Sequence, residues 1–131
     1  MVKVTRHTVF FLVQCFILVL LSRQPLLANT PTPFDVDVIL KEAKKLQQEN
    51  NLKALNYLDK QYQQCVAAKD TLTSIILLAR MADVHGHQAN YKQSYDKLWK
   101  ALLLTDAAKL EVQKADIHKR IGRYYSFYKR K

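Results

Sequence analysis

His85, Gly86 and His87 form an H-x-H sequence, which could supply two ligands of a metal ion. A complete site needs more ligands on the same helix face, and the nearest carboxylate, Asp83, points to another part of the predicted helix. Imidazoles near the negative, C-terminal end of a helix dipole explain the pair more simply. We therefore predict no metal site and no cofactor.

No set of residues in the sequence is arranged for catalysis. There is no nucleophile beside a base, no glycine-rich phosphate loop and no pair of carboxylates set apart for acid–base chemistry. Cys65 is the one cysteine that follows the N-terminal leader, so it has no internal disulfide partner, and its helical spacing predicts a small core residue. We predict that the protein is not an enzyme.

Aromatic rings and cations cluster towards the C-terminal end. Eight Lys or Arg residues lie between positions 109 and 131, against two acids, in a chain of net charge +10. Tyr124 and Tyr128 beside Arg120, Arg123 and Arg130 could bind nucleic acid by stacking and by phosphate contacts. Nucleic acid is scarce outside the cytoplasm, so the export signal described next favours helix packing and protein contact instead.

The N-terminal segment 1–33 has the pattern of an export signal and a spacer. Lys3 and Arg6 precede an apolar run of about 13 residues, Val9 to Leu21, which is shorter than the roughly 20 residues that span a bilayer. We predict a signal peptide at 1–28, cleaved or kept as an N-terminal membrane anchor, and an extended spacer at 29–33. The body is then exported to the periplasm or an equivalent compartment.

From Phe34 onward the sequence predicts five helices in succession. Apolar residues recur at helical spacing, and no Pro follows position 33. Asn50 and Asp70 can cap helices, 86–90 supplies a turn, and Thr105–Asp106 is predicted to cap the fifth helix. Such short connections favour antiparallel packing of neighbouring helices.

The helical body also contains an internal repeat with a period of about 40 residues. The pair Ala54 and Leu58 recurs as Ser94 and Leu98, and the same offset relates Ala82 to Gly122. Small residues at these positions let two helices approach closely while large ones fill the next groove. The residues predicted to pack the repeats are Ala54, Leu58, Leu78, Met81, Ala82, His85, Tyr91, Ser94, Leu98, Ala101, Ile121, Gly122 and Tyr125.

The middle unit resembles the tetratricopeptide repeat (TPR) family. Its first-helix positions are matched by Leu78, Met81, Ala82 and His85, and its second-helix positions by Tyr91, Ser94, Leu98 and Ala101. Ala82 replaces the usual Gly, His85 replaces a Tyr, and the period is longer than that of the family. The resemblance implies an all-α fold in which antiparallel helical hairpins stack as a short TPR-like α-solenoid over 34–131.

The last predicted helix carries an apolar stripe too wide for one contact, namely Ile117, Ile121, Tyr124, Tyr125, Phe127 and Tyr128. We therefore expect the last repeat to be incomplete and this end to be covered by further sequence, by a partner, or by self-association through this helix. By resemblance, exported repeats of this kind form the sensory region of bacterial signalling proteins, ahead of a histidine kinase, cyclase or DNA-binding output module.

Two functions follow as expectations. The first is a protein- or peptide-binding module that acts as a scaffold or sensory input, with candidate partner contacts at Arg80, Asp83, His87, Lys114, His118, Tyr124 and Tyr128. The second is a basic binder of membrane surfaces or nucleic acid, acting through Lys119, Arg120, Arg123, Lys129, Arg130 and Lys131. Only the second should weaken steeply as salt is raised.

Overall fold

The computed structural model describes residues 34–130, which form five α-helices and no strand. The helices are α1 (Val36–Glu49), α2 (Asn51–Ala67), α3 (Thr71–His87), α4 (Tyr91–Ala108) and α5 (Glu111–Lys129). The predicted all-helical fold is confirmed for this part of the chain. The signal peptide and spacer predicted over 1–33, and Lys131, lie outside the described residues. None of the described helices combines the length and hydropathy of a membrane span.

The helices begin at a regular interval, since α2, α3, α4 and α5 start at positions 51, 71, 91 and 111. Each of the last three turns contains a residue in the left-handed region, with φ of 58°, 58° and 55° at Lys69, Ala89 and Lys109. The following amide reaches back 2.9 Å to a carbonyl five residues earlier, joining Asp70 to Cys65, Asn90 to His85 and Leu110 to Thr105. These bonds satisfy carbonyls at the end of each helix.

Two predicted caps are confirmed, the turn predicted at 86–90 is confirmed for 88–90 only, and the cap predicted at Thr105–Asp106 is wrong. The side chains of Asn50 and Asp70 accept hydrogen bonds from the amides of Leu52 (2.7 Å) and Thr73 (3.0 Å). Gly86, placed in a turn, lies inside α3, and Thr105–Asp106, predicted to cap the fifth helix, lie inside α4. Left-handed residues that are not glycine end these two helices, so glycine did not mark the turn.

Helix α3 lies at the centre of the bundle. It contacts all four other helices and has nine buried residues, whereas α5 has two, Ile117 and Tyr124. Its contact with α4 is close because the buried Ser94 Oγ donates a hydrogen bond to the carbonyl oxygen of Ala82 at 2.8 Å. Consecutive helices pack on each other, and α3 also reaches α1 and α5.

Candidate functional site

An open groove of about 540 Å³ lies between α1 and α3. The two helices are joined at this groove by the Arg80 guanidinium of α3, which donates a partly buried hydrogen bond to Gln47 Oε1 of α1 at 2.7 Å. Two of the predicted partner contacts, Arg80 and His87, line this groove. The full lining is Leu40, Lys44, Gln47, Gln48, Arg80 and His87.

The groove is positively charged. Among the described residues that line it, Lys44 and Arg80 are cations and none is a carboxylate. Leu40 adds an apolar contact, while the amide side chains of Gln47 and Gln48 can donate and accept hydrogen bonds. An uneven charge of this kind raises the local concentration of anionic ligands. The groove therefore suits an acidic segment with some apolar character.

Asp83 holds α5 against α3. Its Oδ1 accepts a hydrogen bond from the Tyr124 hydroxyl at 2.9 Å, and its Oδ2 forms an ion pair with Arg120. Arg120 also pairs with Asp116 at 2.7 Å. The side chains of Asp83 and Arg120 are only 17% and 26% exposed. Asp83 and Tyr124, two of the predicted partner contacts, are thus occupied within the chain, because α5 folds back onto α3.

The Tyr124 ring is buried against Gly86, with 5% of its surface exposed. A Cβ atom at Gly86 would lie 2.5 Å from Tyr124 Cζ and 2.7 Å from its hydroxyl oxygen, well inside van der Waals contact. Arg120 of α5 contacts Asp83 of α3, and Tyr124, one turn later in α5, contacts Gly86, about one turn later in α3. The two helices therefore run in the same direction. Glycine is needed here to admit a ring from another helix.

Burial and the neighbouring Asp83 charge raise the pKa of Tyr124 to about 12. The folded chain therefore keeps a proton that the unfolded chain loses above the ordinary tyrosine pKa of about 10. This contribution to stability is complete below pH 10 and is lost as the pH rises towards 12.

We expect the stabilising effect of the Tyr124 hydroxyl to fade over that pH range. Urea unfolding of the wild type and Tyr124→Phe at pH 9, 10, 11 and 12 measures it, since the variant lacks only the titrating group. The wild-type advantage in unfolding free energy should shrink by on the order of 1 to 3 kcal/mol. An advantage that stays constant with pH would contradict the raised pKa.

The other predicted partner contacts lie apart from the groove. Lys114 forms an ion pair with Asp106 of α4 at 2.6 Å, and His118 is exposed on α5. Tyr128 is 60% exposed and meets Tyr95 of α4 edge to face, with ring centroids 6.4 Å apart. The structure thus brings Arg80 and His87 together and leaves these three residues outside their site.

The predicted packing residues divide between the centre and the end of the bundle. Eight are buried, namely Ala54, Leu58, Leu78, Met81, Ala82, Ser94, Leu98 and Ala101. His85, Tyr91 and Ile121 are partly exposed, and Gly122 and Tyr125 are exposed. The last two lack cover because, within the described part of the chain, α5 has neighbours only on the side facing α3 and α4.

The apolar stripe predicted on the last helix is narrower in the structure than the sequence indicated. Ile117 is 1% exposed and Tyr124 is 5% exposed, because both pack into the core formed with α3. Ile121 is partly buried, while Tyr125, Phe127 and Tyr128 remain 54%, 46% and 60% exposed. The uncovered part of the predicted stripe thus consists of three rings near the C-terminal end of α5.

The H-x-H sequence does not converge with other ligands, since the described residues contain no group of three or more His, Cys, Asp or Glu side chains able to hold a metal. His87 lies in the groove, whereas His85 faces inward. Burial and the nearby Lys97 lower the pKa of His85. No hydrogen-bond partner reaches its buried Nδ1 from the described residues.

Sequence reasoning missed the α1 side of the groove. Lys44, Gln47 and Gln48 were not assigned a role, although the internal repeat places Gln47 at the position of His87 in the next unit. The same offset relates Leu40 to Arg80. Extending the repeat back to α1 would have found this wall.

Comparison with protein-family models, with curated proteins and with solved structures gave no match for this chain.

Proposed function

We propose that this chain is a non-catalytic, protein- or peptide-binding module made of TPR-like helical hairpins stacked as a short solenoid. We propose further that it is exported and serves as a scaffold or as the sensory input region of a longer signalling protein. The regular spacing of helix starts supports the repeat assignment. The groove between α1 and α3 supports the binding role, because it is concave, partly apolar and built on rigid helices.

The observation that carries this proposal is the charge of the groove, which is lined by Lys44 and Arg80 and by no carboxylate among the described residues. Asp83, the nearby acid on α3, is paired with Arg120 and does not offset them. The ligand class is therefore an acidic segment of a protein.

Binding of three labelled ten-residue peptides to the full chain tests the proposal. One peptide alternates Glu with Leu, one Lys with Leu, and one Gln with Leu, and binding is followed by fluorescence anisotropy in about 100 mM salt. We expect the Glu peptide to bind best and Lys44→Met/Arg80→Met to weaken it about tenfold, which corresponds to about 1.4 kcal/mol.

The matched control is Lys53→Met/Lys92→Met, which removes the same charge from two exposed lysines on α2 and α4. It should retain wild-type binding within about twofold, since exposed pairs contribute little. Equal losses in both double variants would indicate nonspecific attraction to the net charge and would contradict binding in the groove. So would equal binding of the three peptides.

A second candidate function is binding to an anionic membrane surface or to nucleic acid. It is favoured by four cations of the C-terminal end, Lys119, Arg123, Lys129 and Arg130, which are exposed and form no ion pair among the described residues. Of the other predicted members of this set, Arg120 is held by Asp83 and Asp116, and Lys131 lies outside the described residues.

Vesicles containing phosphatidylserine and a labelled oligonucleotide distinguish the two functions. Under the second, binding falls steeply between 50 and 300 mM salt and is lost when the four cations are replaced, yet it survives Lys44→Met/Arg80→Met.

A further inference from the structure

Helix α5 occupies the position in its repeat that α3 occupies in the preceding one. Ile117 and Tyr124 are buried, as are their counterparts Leu77 and Val84. The side of α3 that packs on α4 differs, because its buried or partly buried residues correspond, 40 residues later, to exposed residues of α5. Ile75, Leu78, Ala82 and His85 of α3 correspond to Ala115, His118, Gly122 and Tyr125 of α5. We call these four residues of α5 its free face.

The matching side of α3 receives a helix, and the contact is close. Ala82 accepts the hydrogen bond from Ser94 of α4, and both residues are 0% exposed. Their small size lets the two backbones approach. On the free face Gly122 takes the place of Ala82, and a Cβ atom built there meets no atom within 4 Å. Gly122 thus leaves room for a helix to approach at least as closely as α4 approaches α3.

The edges of the free face are positively charged. Lys119, Arg123 and Lys129 are exposed, and in the described range none of them pairs with a carboxylate. Lys129 Nζ instead lies 5.9 Å above the Tyr125 ring. Two acids near the free face do not offset its edges, because Asp116 is bound to Arg120 and Asp106 to Lys114. Glu111 is exposed at the start of α5, two turns or more from Lys119, Arg123 and Lys129. A helix that approaches this face gains most if it carries Asp or Glu beside its contact residues.

We propose that the free face of α5 binds an acidic amphipathic helix of a partner protein, packed as α4 packs on α3. A small residue of the partner lies over Gly122, a large apolar residue one turn later lies beside Tyr125, and flanking acids meet Lys119, Arg123 and Lys129. Such anchoring by an apolar face and a few central contacts is how amphipathic helices bind grooves.

A second copy of this chain fits the free face poorly. The small and large pairs of the repeat on α2 and α4, namely Ala54, Leu58, Ser94 and Leu98, are all 0% exposed. Pairing of α5 with a second α5 would bring Lys119, Arg123 and Lys129 against like charges. A second copy would also bring its own net positive charge towards a basic surface. These facts favour a different, acidic protein. The groove between α1 and α3 contributes no residue to the free face, so this inference does not depend on the proposed function.

Two synthetic helices based on the chain's own α4 provide the probes. The acidic probe is the labelled peptide of residues 91–108 with Lys92→Glu, Lys97→Glu and Lys100→Glu, and the basic probe keeps the three lysines. Binding to the full chain is measured by fluorescence anisotropy. We expect the acidic probe to bind at least tenfold more tightly than the basic probe, and Ser94→Leu within the acidic probe to weaken it about tenfold.

Gly122→Leu in the full chain fills the free face and should weaken the acidic probe at least tenfold. The control Gln63→Leu adds the same side chain at an exposed position of α2 and should leave binding unchanged, as should the groove variant Lys44→Met/Arg80→Met. Loss of binding only in the groove variant would place the probe in the groove and overturn this inference.

Three further outcomes would also overturn it. They are equal binding of the two probes, wild-type binding by Gly122→Leu, and a dimer in light scattering that Gly122→Leu dissociates, which would assign the face to a second copy. Thermal unfolding of Gly122→Leu and Gln63→Leu confirms that the fold is retained, which is expected because both substituted positions are exposed.

Discussion

Gly86→Ala is expected to destabilise the protein by about 1 to 3 kcal/mol, although the same change in most helix interiors stabilises by about 0.5 to 1 kcal/mol. The added methyl group would lie 2.5 Å from Tyr124 Cζ, so the buried ring must shift. This shift weakens the packing of the aromatic ring and the hydrogen bond from Tyr124 to Asp83.

Urea unfolding followed by circular dichroism measures this effect, and Gly122→Ala is the matched control. Gly122 is also inside a helix, but a Cβ atom there meets nothing within 4 Å. It should therefore show the ordinary stabilisation of about 0.5 to 1 kcal/mol. Opposite signs at the two glycines are the expected result, whereas stabilisation at both would show that Tyr124 does not fill the space above Gly86.

A double substitution separates the effect of the Tyr124 ring from the general preference of helices for Ala over Gly. In a Tyr124→Ala background the space above Gly86 is empty, so Gly86→Ala should stabilise rather than destabilise. The change of sign is a coupling between positions 86 and 124 of at least about 1.5 kcal/mol, within the range seen for residues in contact. Additive effects would contradict the contact.

Asp83→Ala is expected to cost about 2 to 3 kcal/mol, because it leaves the buried Tyr124 hydroxyl without its acceptor and removes one of the two carboxylates that pair with Arg120. The loss should be smaller than for a fully buried pair, because Arg120 is 26% exposed and keeps Asp116. In a domain of this size such a loss lowers Tm by on the order of 10 °C.

Asp96→Ala is the control for charge, because Asp96 pairs with Lys92 at 2.9 Å on the surface, with both side chains more than half exposed. It should change stability by less than about 0.5 kcal/mol. Hydrogen exchange adds a positional test, since Asp83→Ala should speed exchange in α5 more than in α2. Equal costs for the two substitutions would mean that Asp83 does not fasten α5.

The sequence predicted the helices well where local chemistry decides them. Asn50 and Asp70 cap helices because their side chains accept hydrogen bonds from amides two or three residues later. The periodic small residues Ala54, Ala82 and Ser94 are buried where helices approach closely. The caps depend on neighbours within one turn and the small residues recur at a fixed spacing, so both can be inferred from the sequence.

The roles of individual residues were harder to predict, because contacts between distant positions decide them. Asp83 was assigned to a partner, yet it binds Arg120 and Tyr124 from another helix. Gly86 was assigned to a turn, yet it makes room for a ring from α5. Both errors arose because spacing within a helix does not reveal which side chain of another helix arrives there.

The sequence by itself therefore determined that the chain from Phe34 onward forms amphipathic helices, since periodicity and caps act locally. Only the tertiary structure decided which of their charged and aromatic side chains hold the helices together and which are free. Arg80 and His87 line a basic groove, whereas Asp83, Arg120 and Tyr124 bind one another and join α3 to α5. The physical reason is that parallel packing of alternate helices brings together side chains far apart in the chain, a pairing set by helix register rather than by local sequence.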